Sequence, residues 1–235
     1  MSDHTVKAYD DELGRLKTML AQMGGLAEEQ LARAIDALTR RDTQLADLII
    51  ADDAKIDALE LAIEERSVTT IAKRQPMASD LREVMSAIRI SSDLERIGDL
   101  AKNLAKRTHA MSDSLPRQII TGLKRMSTLA QEQLQDVLDA YTRKDAARAL
   151  EVWRSDEEID ALYNSVFREL LTYMMEDPRT IGLCAHLLFA AKNLERIGDH
   201  TTNIAENVYY LVHGKLIGEE RPKKDLTSIT AIDPP

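Results

Sequence analysis

A 235-residue chain with only 9 glycines and 6 prolines lacks the turn chemistry of an all-β protein, yet is long enough for a proper hydrophobic core. Its formal net charge of -9 opposes a general nucleic-acid binder, which needs a basic surface to displace counterions. A single cysteine, Cys184, excludes an internal disulfide and fits a reducing compartment.

The first residues, MSDHTVKAYDDELGRL, are polar and hold no apolar signal-peptide segment. Good helix formers dominate the rest of the chain, and the pattern predicts six long helices near 5–40, 43–74, 79–110, 115–143, 145–175 and 179–213. Asp42 and Asp145 are placed to N-cap the second helix of each half. Ser79 or Asp80, and Thr180 behind Pro178, are placed to open the third. Ile49, Ile56, Leu59 and Ile63 form an apolar stripe on the second helix. Ile90, Leu94, Ile97, Ala101 and Leu104 form one on the third, and Leu194, Ile197, Thr201, Ile204, Val208 and Leu211 repeat it near the C-terminus. The longest apolar run, Ile181 to Ala191, is broken by His186 and too short to span a bilayer. The expected organisation is all-α, with two tandem homologous three-helix bundles side by side over 1–112 and 113–214 and a boundary within Ser112–Pro116. A disordered charged tail over 215–235 and a cytoplasmic location complete the expectation.

The halves are copies of one unit. Leu94-Glu95-Arg96-Ile97-Gly98-Asp99 returns as Leu194-Glu195-Arg196-Ile197-Gly198-Asp199. Ile56-Asp57-Ala58-Leu59 returns as Ile159-Asp160-Ala161-Leu162. The offset is 103 in the first two helices and 100 at the six-residue word, which puts a three-residue length change in the turn between the second and third helices.

Acidic pairs one helical turn apart recur in both halves: Asp53 with Asp57 and Glu95 with Asp99, then Asp156 with Asp160 and Glu195 with Asp199. Each pair lies off its own apolar stripe. In an antiparallel hairpin, residues whose numbers average to the turn centre share a height. Asp53 with Asp99, and Asp57 with Glu95, average to 76; Asp156 with Asp199, and Asp160 with Glu195, average to 177.5. Each half is therefore expected to gather four carboxylates at one level, outside the core. Such crowding is unfavourable by about 1 kcal/mol per close pair in water, and a multivalent cation would reverse the sign. All-oxygen ligands suit magnesium, manganese or iron, and bridging carboxylates can hold a multinuclear cluster. The alternative is a solvated acidic face.

Other residues carry less. Gly98 and Gly198 each cost a helix about 1 kcal/mol relative to Ala, and close helix approach accounts for them as well as ligand access does. Asn103 and Asn203 read as surface, and Arg96 and Arg196 as partners of nearby carboxylates. Cys184 and Trp153 read as packing. His200 has Leu100 as its counterpart, which excludes a duplicated role. No Glu-x-x-His pair, His-Glu-x-x-His, phosphate loop or Gly-x-Ser-x-Gly is present, so nothing argues for an enzyme.

Arg74-Gln75-Pro76 through Ser79-Asp80-Leu81-Arg82, Ser92-Asp93 leading into the first six-residue word, and Asn193 through His200 with Asn203-Ile204-Ala205-Glu206 resemble the bacterial PhoU family over roughly residues 5 to 213. The resemblance implies two three-helix bundles and a cytoplasmic negative regulator of phosphate uptake and the phosphate regulon. It implies an adaptor, expected as a homodimer, between the ATPase subunit of a phosphate ABC transporter and a phosphate sensor histidine kinase, reaching the membrane only through partners. It also implies multinuclear iron or zinc clusters on Glu/Asp-x-x-x-Asp motifs, met here by Asp53/Asp57, Glu95/Asp99, Asp156/Asp160 and Glu195/Asp199. A carboxylate-bridged metal storage or redox protein and a metal-independent helical scaffold are the alternatives.

Overall fold

The computed structural model describes residues 2–111 and 117–218, so the expected boundary at Ser112–Pro116 and the tail beyond residue 218 lie outside the described residues. The helices are α1 (Ser2–Arg40), α2 (Thr43–Asp52), α3 (Ala54–Arg74), α4 (Ser79–Arg107), α5 (Arg117–Arg143), α6 (Ala146–Glu176) and α7 (Ile181–His213). Short 3-10 turns run over Thr108–Ala110 and Pro178–Thr180. The fold is all-α, two three-helix bundles, as the 3.6-residue periodicity predicts.

One difference falls at the centre of the first bundle. The expected single helix over 43–74 is interrupted at Asp53, whose backbone stays helical (φ -54°, ψ -35°) while its carbonyl accepts from Ile56 N (2.9 Å) as well as Asp57 N (3.3 Å). This three-residue hydrogen bond tightens one turn. The equivalent stretch of α6 is continuous through Asp156.

The turns between first and second helices are built alike. Arg41 (φ 59°) and Lys144 (φ 53°) take the left-handed conformation usually given to glycine. Asp42 N then bonds Ala37 O (2.9 Å) and Asp145 N bonds Ala140 O (2.8 Å), closing Schellman motifs. Asp42 Oδ1 accepts from Leu45 N (2.9 Å), and Asp145 Oδ1 from Ala147 N and Arg148 N (3.0 Å each), so the predicted caps form. The expected openers of the third helices do not cap. Ala78, with φ 50° and ψ -112°, precedes α4 without a side-chain bond. Thr180 Oγ1 donates backwards to Asp177 O (2.8 Å), and Asp177 Oδ1 takes Arg179 N instead (3.0 Å).

All five predicted core residues of α4 and all six of α7 are buried. So are Trp153 and Cys184. The buried apolar side chains of both bundles form one continuous cluster, because α4 packs against α7 and α1 against α5. Across this seam a Cβ on Gly24 of α1 would meet Leu138 Cδ1 of α5 at 2.5 Å, so glycine lets that leucine lie against the α1 backbone. Arg107 lies over the Phe189 ring at 4.6 Å, and His200 Nδ1 lies 3.0 Å from Asp93 Oδ1. No helix among the described residues is long and apolar enough to cross a membrane.

Candidate functional site: two carboxylate sets at mid-bundle

In each bundle the third helix comes unusually close to the second beside its glycine. A Cβ on Gly98 would sit 2.9 Å from Ile56 Cδ1 and 3.6 Å from Asp53 Oδ1; on Gly198, 2.9 Å from Ile159 Cδ1 and 3.4 Å from Asp156 Oδ1. The same two glycines thus let an isoleucine close the core and bring an aspartate of the neighbouring helix alongside Asp99 and Asp199.

In the first set Asp53 is buried and fully engaged. Gln30 Nε2 of α1 donates to its Oδ1 (2.8 Å) and to Gly98 O (3.0 Å). Lys102 Nζ donates to Asp53 Oδ2 and to Asp99 Oδ1 (2.5 Å), tying α4 to the α2–α3 junction at the height that sequence averaging assigns. Arg96, on the exposed side, lies 3.4 Å from Glu95 Oε2 and 3.7 Å from Asp99 Oδ2, the pairing expected of it. Burial and then the charge of Asp53 push the Asp57 carboxyl above the usual range, and burial and then Asp99 do the same for Glu95. Burial also works on Asp99, but the Lys102 ammonium outweighs it and holds that carboxyl below the ordinary value.

The second set differs. Asp156, Asp160 and Glu195 are all buried and only Asp199 is partly exposed, whereas in the first set Asp53 alone is buried. This corrects the expectation that the acids lie outside the core: α6 packs against both α5 and α7, and α7 against α4, α5 and α6, so a position off the apolar stripe of either is covered by another helix. Lys192 Nζ, from the turn before, approaches Glu195 Oε1 at 2.8 Å and lies 5.0 Å from the centre of the Tyr163 ring. Glu195 Oε2 is buried with no hydrogen-bond partner. Burial pushes the Glu195 carboxyl up to about 7; Lys192 opposes this, and the charges of Asp199 and Asp160 add to it.

Spacing and periodicity do not single out Gln30 or Lys102. Lys102 has one signal: it stands three residues after Asp99, where the second half has Thr202. His200 and Asn203 turn instead to Asp93 of the other half (3.0 and 3.3 Å). A cleft of about 550 Å³ lined by Tyr9, Lys17, Arg74, Met77 and Lys144 touches none of the eight acids.

The donor chemistry of the second set suits a hard cation: its four acids are all-oxygen ligands, and although Lys192 holds Glu195 Oε1, Glu195 Oε2 is buried without a donor. In the first set the ammonium of Lys102 already holds the two aspartates that a cation would bridge. Among the described residues no three His, Cys, Asp or Glu side chains converge into a ready ion cage.

A duplicated all-α body with a set of acidic side chains at mid-height of each half is the class of protein that the fold and site define. The PhoU domain model matches residues 20–108 and 123–208, one copy per bundle, and the chain belongs to the PhoU family. It is 54% identical over 226 residues to the phosphate-specific transport system accessory protein PhoU homolog of Rhizobium meliloti (96% of this chain, 95% of the relative). It is 51% identical to the homolog of Caulobacter vibrioides (97% and 100%). The crystal structure of PhoU from Pseudomonas aeruginosa superposes with a TM-score of 0.85 at 40% identity, covering 88% of this chain and 100% of that one. That of the phosphate transport system regulatory protein PhoU from Streptococcus pneumoniae gives 0.83 at 32% identity (90% and 100%). Family membership gives the chain a non-catalytic, regulatory role in phosphate homeostasis.

Proposed function

We propose that this chain is a cytoplasmic adaptor that represses the phosphate regulon when phosphate is ample, by engaging the ATPase subunit of the phosphate ABC transporter and the phosphate sensor histidine kinase. The observation that carries the reading is the near full-length match to proteins named as accessories of phosphate-specific transport. In this reading the chain acts as a homodimer. Coupling requires that it bind two states of a partner with different affinity. Deleting the gene is expected to give phosphatase expression in high phosphate, restored by the full chain; normal repression in the deletion strain would sink the role.

Metal binding at the carboxylates belongs to the same proposal. When bound, a multivalent ion supplies charge compensation to acids that otherwise repel one another. Asp156, Asp160, Glu195 and Asp199 are the residues that would hold it, with iron, zinc, manganese or magnesium as candidates. The burial of three of these acids also answers one objection to a metal-storage or redox role, which needs shielded ligands. Anaerobic iron titration followed by oxygen consumption separates the two: turnover of oxygen favours the redox protein, and binding alone favours the adaptor.

A further inference from the structure

We infer that the ammonium group of Lys102 is the resident cation of the first carboxylate set and keeps multivalent metal ions out of it, so that metal binds at the second set alone. Binding at the second set rests on the metal reading above; exclusion from the first stands on the Lys102 geometry.

An ion joining the α2–α3 junction to α4 needs oxygens of Asp53 and Asp99. Lys102 Nζ donates to one oxygen of each, from two different structural segments. The remaining oxygen of Asp53 accepts from Gln30, so that side chain has both oxygens engaged. The ammonium delivers positive charge and directed hydrogen bonds to the place where a cation would be stabilising.

The repeat serves as an internal control. At the position of Lys102 the second half has Thr202, which is buried and donates its hydroxyl to Asp199 O of its own helix (2.8 Å). The lysine near the second set is Lys192, whose counterpart is Ser92. It meets Glu195 at Oε1 and leaves Oε2 buried and without a donor. An orphaned carboxylate oxygen, more than nine-tenths of its residue shielded from water, is the feature that an incoming ion satisfies.

The test uses the full chain, stripped with chelator and purified without affinity-tag metal, titrated with Mn²⁺ while free ion is followed by electron paramagnetic resonance. Asp99→Asn is expected to leave affinity within about twofold of wild type, and Glu195→Gln to weaken it at least about tenfold. Lys102→Met is expected to add a second class of Mn²⁺ site that the Lys102→Met/Asp99→Asn double variant lacks. Lys102→Gln, which keeps a donor and loses the charge, replaces Lys102→Met if the latter does not fold. Equal loss from Asp99→Asn and Glu195→Gln overturns the inference and leaves the metal reading standing, and a Lys102 variant that gains no site overturns it too. A wild-type chain that binds nothing beside a Lys102 variant that does sinks the metal reading and upholds the lysine's role.

Discussion

Glu83 of α4 and Lys144 of the α5–α6 turn meet at 2.7 Å across the seam between the bundles. Lys17 of α1 approaches the other Glu83 oxygen at 2.8 Å as an ion pair, off the direction of a hydrogen bond. The carboxylate is buried, while both lysines reach solvent. Burial pushes its titration up, but the two ammonium groups outweigh that and hold it below the ordinary value of 4.5. A depressed carboxyl contributes stability above its unfolded pKa and loses it as pH falls through the folded one. Because both lysines reach solvent, Glu83→Gln is expected to cost about 1–3 kcal/mol at pH 7. The difference from wild type should shrink as pH drops below about 4.5, a pattern that thermal melts at several pH values will check.

Glu195 has the opposite sign. Its folded pKa, near 7, lies above the ordinary 4.5, so its contribution is complete below 4.5 and is lost as pH rises through 7. In chelator-treated protein Glu195→Gln should match wild type at pH 4.5 and exceed it at pH 8 by up to about 3 kcal/mol. A variant no more stable than wild type at pH 8 would contradict the burial argument.

Gly98→Ala sets helix propensity against packing. Alanine gains about 1 kcal/mol as a helix former, but the new Cβ meets Ile56 Cδ1 at 2.9 Å. Overpacking of this kind costs about 1–3 kcal/mol, so the single variant should be no more stable than wild type. Ile56→Val removes the obstructing methyl. Urea denaturation of the double variant should reveal a favourable coupling of about 1 kcal/mol between the two changes.

Ala78 sits at φ 50° and ψ -112°, where a Cβ is unwelcome. Backbone strain of this sort costs on the order of 1–3 kcal/mol, against up to about 1 kcal/mol for the added unfolded-state freedom of glycine. Ala78→Gly is expected to raise the melting temperature by a few degrees.

What is legible in the amino-acid sequence depends on the range of each interaction. Apolar period gave the helices, and Asp42 and Asp145 cap where predicted because capping is local. The shared height of Asp53 and Asp99 was legible because helical rise is fixed, and Lys102 bridges them at that level. The bridge itself was not: a lysine with four methylenes reaches several ångströms in any direction, and register arithmetic positions only backbones. Nor was the burial of Asp156 and Glu195, since one helix's stripe says nothing of how many neighbours crowd its flanks. The break at Asp53 has neither glycine nor proline to announce it.

The apolar interior passes without interruption from one repeat into the other, through α4 against α7 and α1 against α5. Duplication therefore did not produce two beads on a string. Severed from its twin, either half would bare a long oily flank, so the pair should melt in one calorimetric transition, and a local disturbance in one repeat would be felt mechanically in the other.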